Sequence, residues 1–319
     1  MRKVKWGIIG PGKIANQFAS DFQFVENATV HAVASNNLQR AHDFAKKYEI
    51  PNVYDSYDNL YADPDIDIVY IATPHSFHLM NTTDAIKAGK SVLCEKPITT
   101  NLSDCKQVID LAKKSDQYLM EGMWTYFLPA IQKAREWIKE GRIGKVLSLK
   151  ADFGLLMPYD SKSRLFNPDL AGGSLLDVGI YTIAMTWLVQ QKNPTHITVI
   201  SRYAPTGVDK DVNMLFEYND SLASLHSSFQ SKLNNHAYII GEEGYIDLPD
   251  FWRARECHLY KKDDMVDHFS DDRQGSGFEY EIESVSRDII EGKKESDIVS
   301  HETSIHLQEH MALVFNKMK

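Results

Sequence analysis

The stretch Gly10-Pro11-Gly12-Lys13-Ile14-Ala15 decides the fold, and it follows directly on the apolar run from Val4 to Ile9. In this G-x-G-x-x-A pattern the first glycine permits a tight turn, and the second lets the backbone approach a pyrophosphate. Ala15 is small enough for a helix to pack on the strand, and the N–H groups at the start of that helix attract anions. Because the motif ends a strand and opens a helix, we predict that Gly10, Gly12, Lys13, Ile14 and Ala15 bind a dinucleotide. A glycine-rich turn without a ligand is the alternative.

Apolar runs alternate with amphipathic stretches through the first 124 residues. The pattern predicts strands over 4–9, 29–34, 52–54, 66–72, 91–94 and 118–123, and helices over 14–24, 38–48, 77–88 and 102–113. Strands separated by helices of this length favour right-handed crossovers, and therefore a parallel, doubly wound sheet.

The pattern changes after Trp124. Helices are predicted over 128–139, 175–189, 278–290 and 305–317, and strands over 145–153, 196–203, 212–218, 222–230, 237–240 and 257–261. Strand following strand without a helix indicates a mostly antiparallel sheet. We therefore predict an α/β protein of two domains, 1–124 and 125–319, the first with a parallel sheet and the second with an open, mostly antiparallel one.

Composition and charge exclude several classes of protein. The 319 residues are 43% hydrophobic and 25% charged, which is ordinary for a globular chain. The net charge of -9 argues against a nucleic-acid partner, because binding phosphates along a nucleic acid requires a basic surface. A single anionic cofactor remains compatible, since a local site can be positive within a negative protein.

The cysteines, histidines and apolar runs yield three further expectations. Cys94, Cys105 and Cys257 are too few and too scattered for a disulfide framework or a zinc site, which favours a reducing, cytoplasmic location. No 18-residue run is wholly apolar and uncharged, so we expect no membrane partner. His306 and His310 are four residues apart but lack an H-E-x-x-H pattern, and we predict no metal.

The segment after the second strand bears on the choice of cofactor. A site for NAD usually places an acid about 20 residues beyond the glycine motif, where it bonds the ribose 2′-hydroxyl. Here Ser35, Asn36 and Asn37 stand at the strand end, and Arg40 follows. These side chains can donate to a 2′-phosphate, so we expect NADP(H), with NAD(H) still possible. Arg40 as an ordinary solvated helix residue is the alternative.

Four further motifs carry a family resemblance. They are Ala72-Thr73-Pro74-His75-Ser76-Phe77-His78, Cys94-Glu95-Lys96-Pro97, Glu121-Gly122-Met123-Trp124 and Gly172-Gly173-Ser174-Leu175-Leu176-Asp177-Val178-Gly179-Ile180-Tyr181. In order and spacing the chain resembles the Gfo/Idh/MocA family of oxidoreductases over essentially its whole length. It is most similar to the branch that contains dihydrodiol dehydrogenases, glucose–fructose oxidoreductase and sugar dehydrogenases.

That resemblance implies a Rossmann domain followed by an α/β domain whose open sheet supports substrate binding and often dimerisation. It implies hydride transfer between a nicotinamide cofactor and a hydroxyl or carbonyl carbon of a small-molecule sugar, polyol or cyclic diol. A homo-oligomer, with a dimer favoured, is therefore expected. By motif match Lys96 lies beside the substrate and nicotinamide ribose, Asp177 faces the substrate, and Tyr181 is the acid/base. The cofactor-side residues would be Thr73, Pro74, His75, His78 and Glu95, although family members commonly carry Asn where this chain has His75.

The chemistry of the reaction favours the same residues. Oxidising an alcohol requires a hydride acceptor and a base for the hydroxyl proton. A tyrosine has a pKa of about 10 in water, and a neighbouring ammonium group would favour its phenolate and stabilise a developing alkoxide. Lys96 and Tyr181 are 85 residues apart, so only the tertiary fold can bring them together.

Each assignment has a structural alternative. Lys96 could be a solvated lysine, Asp177 a charge at a helix start and Tyr181 a core aromatic. Trp124 and Phe153 could form an apolar wall for the substrate or belong to the core. Likewise, His78 and Glu95 could be purely structural residues. A non-catalytic NAD(P)-binding regulatory or sensor protein on the same fold is the alternative function.

Overall fold

The computed structural model describes residues 2–318. These residues form two compact units. The first unit extends to Trp124 and also contains Gln274–Ile305. The second consists of Thr125–Arg273 and the residues from His306 onward. The sequence analysis placed the domain boundary at the same residue, Trp124, and assigned the segment 274–305 to the second domain.

The first unit contains a six-stranded parallel sheet. Its strands are β1 (Val4–Ile9), β2 (Ala28–Ala34), β3 (Asn52–Tyr54), β4 (Ile68–Ile71), β5 (Ser91–Glu95) and β6 (Leu119–Gly122), in the order β3-β2-β1-β4-β5-β6. The helices between them are α1 (Lys13–Asp21), α2 (Leu38–Tyr48), α3 (Tyr57–Tyr61), α4 (His78–Lys87) and α5 (Leu102–Lys114). The predicted parallel, doubly wound sheet is thus confirmed. Strand order reverses at β1, and ligands of such sheets bind at the carboxyl ends of the strands beside this reversal.

The second unit contains an eight-stranded mixed sheet. Its strands are β7 (Val146–Gly154), β8 (His196–Tyr203), β9 (Asp209–Glu217), β10 (Leu222–Ser228), β11 (Ala237–Gly241), β12 (Tyr245–Leu248), β13 (Glu256–Lys261) and β14 (Asp264–Ser270), in the order β14-β13-β12-β11-β7-β10-β9-β8. Only β7 and β10 pair in parallel among the neighbouring strands described, so the mostly antiparallel prediction is confirmed. The helices α6 (Pro129–Lys139) and α7 (Ile180–Gln190) contact strands of this sheet.

Two further helices complete the chain, α8 (Phe278–Glu291) and α9 (His301–Phe315), and the boundary between the units falls within α9. The start of α8 explains why 274–305 belongs with the first unit. The carboxylate of Asp21, at the end of α1, accepts hydrogen bonds from the backbone N–H groups of Ser276, Gly277 and Phe278 at 2.9–3.1 Å. Farther along α8, Ser286 accepts a hydrogen bond from the indole of Trp6 at 3.1 Å.

Three short elements were missed by the sequence analysis. The helix α3 has only five residues and begins after Ser56, whose hydroxyl accepts the Asn59 N–H. The strands β12 and β14 belong to hairpins with β11 and β13. Most of β14 is exposed, and β12 has only four residues, of which Ile246 and Leu248 are buried, so neither strand carries a long apolar run. Because pairing with a neighbouring strand stabilises such segments, local sequence indicates them poorly.

One helical run, Pro168–Gln190, is long and apolar enough to cross a membrane by length and composition alone. However, 83% of its most apolar window is buried inside the protein, as in many core helices of globular domains. This run is therefore weak support for a membrane span. The expectation that the chain contacts no membrane stays a prediction.

Candidate active site

The turn after β1 has a backbone that only glycine fits. Gly10 has a φ of +76°, and a Cβ there would lie 2.9 Å from backbone atoms of Ala72 and Thr73. A side chain would therefore be strained in conformation and would also clash with the chain that follows β4. By contrast, the atom nearest a Cβ on Gly12 would be the Gly10 carbonyl oxygen, 3.8 Å away. The space beside Gly12 is thus open, as the approach of a pyrophosphate requires.

The helix that follows this turn is suited to an anion. No acidic residue stands in the first turn of α1, and no side chain caps it. Its first N–H groups have no partner within the helix, and the helix dipole places partial positive charge at this end. Ala15 is fully buried, Ile14 is half-buried and Lys13 is exposed. The glycine turn and this helix start fit a dinucleotide phosphate.

The segment after β2 presents polar groups to solvent. Ser35 is buried, and its hydroxyl accepts the Asn37 N–H at 3.1 Å. The Asn37 side chain in turn accepts the Arg40 N–H at 3.0 Å and so caps α2. The side chains of Asn36 and Arg40 are exposed. Asn37 thus has a structural task that the sequence analysis did not foresee, while Arg40 lies at the start of the helix.

His78 is a buried bridge between two loops. Its Nε2 lies 2.8 Å from the carbonyl oxygen of Thr73, after β4, and its Nδ1 lies 2.7 Å from that of Pro97, after β5. The Thr73 hydroxyl accepts a hydrogen bond from Asn81 at 2.9 Å. His75 is also buried, with its ring 5.6 Å from that of His78. His78 therefore ties the two loops together, and contact of Thr73, Pro74, His75 or His78 with a cofactor stays a prediction.

The end of β5 holds Glu95 and Lys96 in a largely buried position. Glu95 accepts a hydrogen bond from the hydroxyl of Tyr70, whose ring stacks on Phe18 at 3.7 Å. Lys96 is only 9% exposed, and its bond to Pro97 is cis, as the sequence permits. Glu95 is thus anchored inside the first unit, which favours orientation of the neighbouring lysine over a free ribose contact.

Glu121, at the end of β6, is a residue to which the sequence analysis assigned no role. It is 1% exposed, and its Oε1 accepts the Ile98 N–H at 2.9 Å. Burial raises the pKa of its carboxyl to about 7, while the hydrogen bond from Ile98 and the charge of Lys96 act in the opposite direction. The available signal was a single acid in the otherwise apolar run Leu119 to Met123.

In the second unit, the glycines of the long motif make room for a carboxylate. Gly173 has a φ of +119°, and a Cβ there would lie 2.3 Å from an oxygen of Asp209. That carboxylate accepts hydrogen bonds from the Ser174 hydroxyl at 2.9 Å and the Leu175 N–H at 2.7 Å. Burial raises the pKa of Asp209 despite these bonds. Asp209 thus fixes the start of the helical segment that carries Asp177 and Tyr181.

Asp177 lies in a widened, π-helical turn over Leu175–Gly179 that leads into α7. One of its carboxylate oxygens lies 3.2 Å from both terminal nitrogens of Arg164. The Asp177 side chain is 15% exposed and that of Arg164 is 50% exposed. Arg164 is a second residue that the sequence analysis missed, because it stands in a loop without periodicity, 13 residues earlier. Such widened turns are frequent at functional sites.

Tyr181 belongs to an aromatic group in the second unit. Its ring lies 5.5 Å from Phe153 and 6.2 Å from Trp252, and Phe153 stacks on Trp252 at 4.9 Å. The Thr125 hydroxyl donates a hydrogen bond to the backbone carbonyl oxygen of Trp252 at 2.6 Å. Phe153 and Tyr181 are buried, whereas Trp252, which the sequence analysis missed, is partly exposed. Trp124 belongs to the first unit, where it stacks on Phe278 at 4.6 Å.

The predicted site residues thus fall into two groups. In the first unit, Gly10, Thr73, Glu95 and Lys96 stand at or just beyond the carboxyl ends of β1, β4 and β5. In the second unit, Asp177, Tyr181 and Phe153 belong to the π-helical turn, α7 and β7. Because Lys96 and Tyr181 belong to different units, their joint action stays a prediction.

Metal-ligand side chains occur together at one place within residues 2–318. Ligand atoms of His31, Asp63 and Asp65 lie within 4.8 Å of one another. The Lys5 ammonium donates to Asp65 at 2.7 Å, and the Asn52 amide contacts the His31 ring at 3.0 Å. Two of the three potential metal ligands, Asp65 and His31, therefore already contact other side chains. The three C-terminal histidines, His301, His306 and His310, contact a backbone carbonyl, the Trp187 ring and the Asn193 amide respectively.

A glycine-turn parallel sheet joined to a second unit with a mixed sheet defines an NAD(P)-binding oxidoreductase. The sequence comparison agrees: residues 4–123 match the oxidoreductase family with an NAD-binding Rossmann fold, and residues 131–247 match the GFO/IDH/MocA C-terminal domain. The chain belongs to the GFO/IDH/MocA family of oxidoreductases. The resemblance noted from the four motifs is therefore confirmed.

Relatives of established name cover nearly the whole chain. The trans-1,2-dihydrobenzene-1,2-diol dehydrogenase of Xenopus laevis is 34% identical over 310 residues, which is 93% of this chain and 92% of that protein. The enzyme of the same name from Homo sapiens is 32% identical over 312 residues, covering 93% and 91% of the two chains.

Solved structures share the fold at lower identity. An aldose–aldose oxidoreductase from Caulobacter crescentus, complexed with glycerol, has a TM-score of 0.90 at 24% identity, covering 99% of this chain and 97% of that one. KijD10, a 3-ketoreductase from Actinomadura kijaniata in complex with NADP, also has a TM-score of 0.90, at 22% identity and covering 100% and 98%.

Proposed function

We propose that this chain is an NADP(H)-preferring dehydrogenase or reductase that acts on a hydroxyl or carbonyl carbon of a sugar, polyol or cyclic diol. The observation that carries the proposal is the glycine turn at Gly10 and Gly12, open toward the start of α1, in a chain whose relatives include dihydrodiol dehydrogenases. Family membership supports the oxidoreductase class, and the substrate class is drawn from the names of those relatives.

The proposed roles divide between the two units. The nicotinamide cofactor, when bound, accepts or returns the hydride. Gly10, Gly12 and the start of α1 would hold its pyrophosphate. Tyr181 takes or gives the hydroxyl proton, and the ammonium of Lys96 stabilises negative charge on the phenolate and on the substrate oxygen. Asp177 accepts a hydrogen bond from a neighbouring substrate hydroxyl.

The second unit favours a hydroxylated ring as the substrate. Asp177, oriented by Arg164, offers acceptor oxygens to a hydroxyl group. The partly exposed Trp252, with Phe153 behind it, offers an apolar surface to the carbon face of a ring. For Trp124, of the first unit, a place in an apolar wall stays a prediction from the sequence. A polar edge with an apolar face is the pattern that sugars and cyclic diols share, which supports this substrate class.

The preference for NADP(H) rests on the segment after β2. No acidic residue occurs from Ser35 to Arg40, so nothing there repels a 2′-phosphate. Asn36 and Arg40 are exposed at the start of α2 and can donate to it. Substituting Arg40→Ala should weaken NADPH binding at least about tenfold while changing NADH binding less than about twofold. Equal loss with both cofactors, or no loss with NADPH, would remove the basis for this preference.

A paired screen tests the function as a whole. Oxidation and reduction are followed with NADP(H) and NAD(H) in parallel over aldoses, inositols, cyclic dihydrodiols and dicarbonyls. Wild-type protein should turn over at least one class, whereas Lys96→Ala and Tyr181→Phe should bind NADPH normally and lose most turnover. Full activity in both variants would overturn the assignment of these residues. Binding of NADPH without turnover across the panel would instead favour a non-catalytic sensor.

We propose in addition that the protein forms a dimer through the open face of the second sheet. One face of β10 packs on α7, while the other carries the exposed Leu222 beside Leu215 and Ile200 of β9 and β8. Exposed apolar patches of this kind mark protein interfaces. Sedimentation should show a dimer for the wild type and a monomer for Leu215→Glu, with Ile290→Glu as the control on an exposed site of α8. A monomeric wild type would refute the proposal.

We propose a cytoplasmic location, supported by the three cysteines. None of Cys94, Cys105 and Cys257 forms a disulfide, and all three side chains are buried. Burial raises the pKa of Cys94, so its thiol stays neutral and packs as a small apolar side chain. Fractionation of cells expressing the protein tests the location, and recovery outside the cytoplasmic fraction would contradict it.

A further inference from the structure

The backbone that follows Lys96 is held from two sides by buried ionisable side chains of the first unit. His78, from α4, contacts the carbonyl oxygen of Pro97 at 2.7 Å. Glu121, from β6, accepts the N–H of Ile98 at 2.9 Å. Both side chains are essentially inaccessible to solvent. Lys96 therefore precedes a two-residue segment whose position depends on an imidazole and a carboxyl group.

We propose that Glu121 is a positioning residue for Lys96: its carboxylate fixes the segment after the lysine and supplies a negative charge that attracts the ammonium. The inference rests on the proposed role of Lys96 and concerns a residue that does not touch the substrate. Hydrogen bonding supplies the positional part, because the acceptor of the Ile98 N–H is a side chain from another strand. Electrostatics supplies the second part, because Lys96 and Glu121 influence each other's charge.

The charged and polar side chains that face Glu121 come from two elements, the end of β5 and α9. Lys96 and Glu95 stand at the end of β5, and they stabilise and destabilise the Glu121 carboxylate respectively. Ser304 of α9 donates to the carboxylate and favours its charged form. Cys94, on β5, interacts with Glu121 but stays neutral because burial raises its pKa. Lys96 thus provides the attractive charge in this group.

Two other buried groups nearby add no charge at neutral pH. Glu281, on α8, interacts with Glu95, and burial raises its pKa well above the ordinary value. Neither of its carboxyl oxygens has a hydrogen-bond partner among residues 2–318, as suits a protonated acid. His301, on α9, contacts the carbonyl oxygen of Leu119 at 3.0 Å, and burial lowers its pKa. Glu121 is therefore the buried carboxyl here that changes charge near pH 7.

The electrostatic attraction between Lys96 and Glu121 determines how the activity of Glu121→Gln should vary with pH. The charge of Lys96 favours the ionised form of Glu121, so the two side chains attract each other once the carboxyl group is ionised. Because the pKa of Glu121 is raised to about 7, the carboxylate is present from neutral pH upward. In Glu121→Gln this attraction is absent at every pH. The loss of activity in this variant should therefore grow as the pH rises through 7 and change little at higher pH.

The coupling can be measured without turnover. Infrared difference spectra of the cofactor-free protein between pH 5 and pH 9 should show a protonated carboxyl band that disappears near pH 7 and is absent in Glu121→Gln. In Lys96→Met the midpoint of this band should move upward, with the proton affinity of Glu121 rising about three- to tenfold. An unchanged midpoint in Lys96→Met would overturn the proposed coupling, and this test does not require Glu121→Gln to fold.

Kinetics separate a positioning role from a merely structural one. Glu121→Gln keeps an acceptor for the Ile98 N–H and removes only the charge. We expect NADPH affinity within about twofold of wild type, and a kcat within about twofold of wild type at pH 6 and about three- to tenfold lower at pH 8 and pH 9. Glu281→Gln is the matched control, since it replaces a buried, protonated acid by its neutral isostere and should leave the pH profile unchanged.

The outcomes distinguish this inference from the proposed function. A loss in Glu121→Gln that is constant from pH 6 to pH 9, or no loss at all, would overturn the inference while Lys96→Ala remained inactive. Full activity in Lys96→Ala would overturn the role of the lysine itself. Partial recovery in Glu121→Asp, with a pH profile closer to wild type than that of Glu121→Gln, would support the requirement for a carboxylate.

Discussion

Both terminal nitrogens of Arg164 lie 3.2 Å from the same carboxylate oxygen of Asp177. Because Arg164 is half exposed, this ion pair adds at most about 1 kcal/mol to the stability of the fold. We expect the ion pair to act mainly by orienting the Asp177 carboxylate. Arg164→Ala should therefore raise the KM for the substrate about tenfold while changing kcat less than about threefold.

Steady-state kinetics and thermal unfolding check this prediction together. Arg287→Ala is the matched control, because it removes another exposed arginine paired with a carboxylate, Glu283. Arg164→Lys should recover the charge but not the two-nitrogen contact, and so should give an intermediate KM. A KM for Arg164→Ala equal to that of the wild type would show that Asp177 does not depend on this contact.

Gly10 and Gly12 should respond differently to the same added methyl group. At Gly10 a Cβ meets backbone atoms at 2.9 Å and φ is +76°, so Gly10→Ala should lower the free energy of unfolding by about 1–3 kcal/mol. At Gly12 the nearest atom is 3.8 Å away, so Gly12→Ala should unfold like the wild type. The methyl group would nevertheless occupy space needed by the pyrophosphate and weaken NADPH binding at least about tenfold.

Denaturant titration and NADPH fluorescence titration measure the two effects separately. Each glycine variant is the control for the other, since Gly10→Ala should lower the free energy of unfolding and Gly12→Ala should weaken NADPH binding. Wild-type NADPH affinity in Gly12→Ala would show that the phosphate approaches elsewhere.

His78 should be a strong determinant of stability. Both of its ring nitrogens contact backbone carbonyl oxygens, at 2.7 Å and 2.8 Å, and the side chain is fully buried. In His78→Ala the carbonyls of Thr73 and Pro97 would lose these contacts inside the protein. We expect the free energy of unfolding to fall by about 2–4 kcal/mol in urea denaturation. The exposed His42→Ala is the control, and a loss below about 1 kcal/mol in His78→Ala would contradict the bridging role.

Local sequence was sufficient for the elements whose stability is mainly local or strongly patterned. The glycine turn at Gly10, the parallel strands of the first unit and the order of helices between them follow from composition and periodicity. The segment 274–305 could not be assigned in this way. Its place depends on Asp21, whose carboxylate binds the backbone at Ser276, 255 residues away. Nothing in the local pattern of either segment indicates that contact.

The same limit applies to the site. Lys96, Asp177 and Tyr181 stand in motifs that can be recognised, but Glu121, Arg164 and Trp252 gain significance only from their neighbours in the fold. Glu121 acquires a raised pKa because the strand buries it, and Arg164 matters because a loop brings it to Asp177. The alternatives for His78 and Glu95 were also undecidable from sequence, since their buried contacts with Pro97 and Tyr70 are tertiary.

The stability of the protein should depend on pH through Glu121. The pKa of its carboxyl is about 7 in the folded protein and near 4.5 in its ordinary state, so the folded protein binds this proton more tightly. At low pH, where the carboxyl is protonated in both states, it does not lower the free energy of unfolding. As the pH rises from about 4.5 to about 7 it lowers the free energy of unfolding progressively, and above about pH 7 the reduction is constant. The difference corresponds to about 3 kcal/mol as an upper limit. Glu121→Gln, which cannot ionise, should avoid that cost.

Urea denaturation of the cofactor-free protein at a series of pH values tests this sign. The difference in free energy of unfolding between Glu121→Gln and wild type should become more favourable to the variant from pH 5 to pH 8 and change little beyond. The exposed Glu26→Gln is the control, and its difference from wild type should vary little over the same range. A difference for Glu121→Gln that shrinks or stays constant with rising pH would mean that Glu121 is already ionised at pH 5.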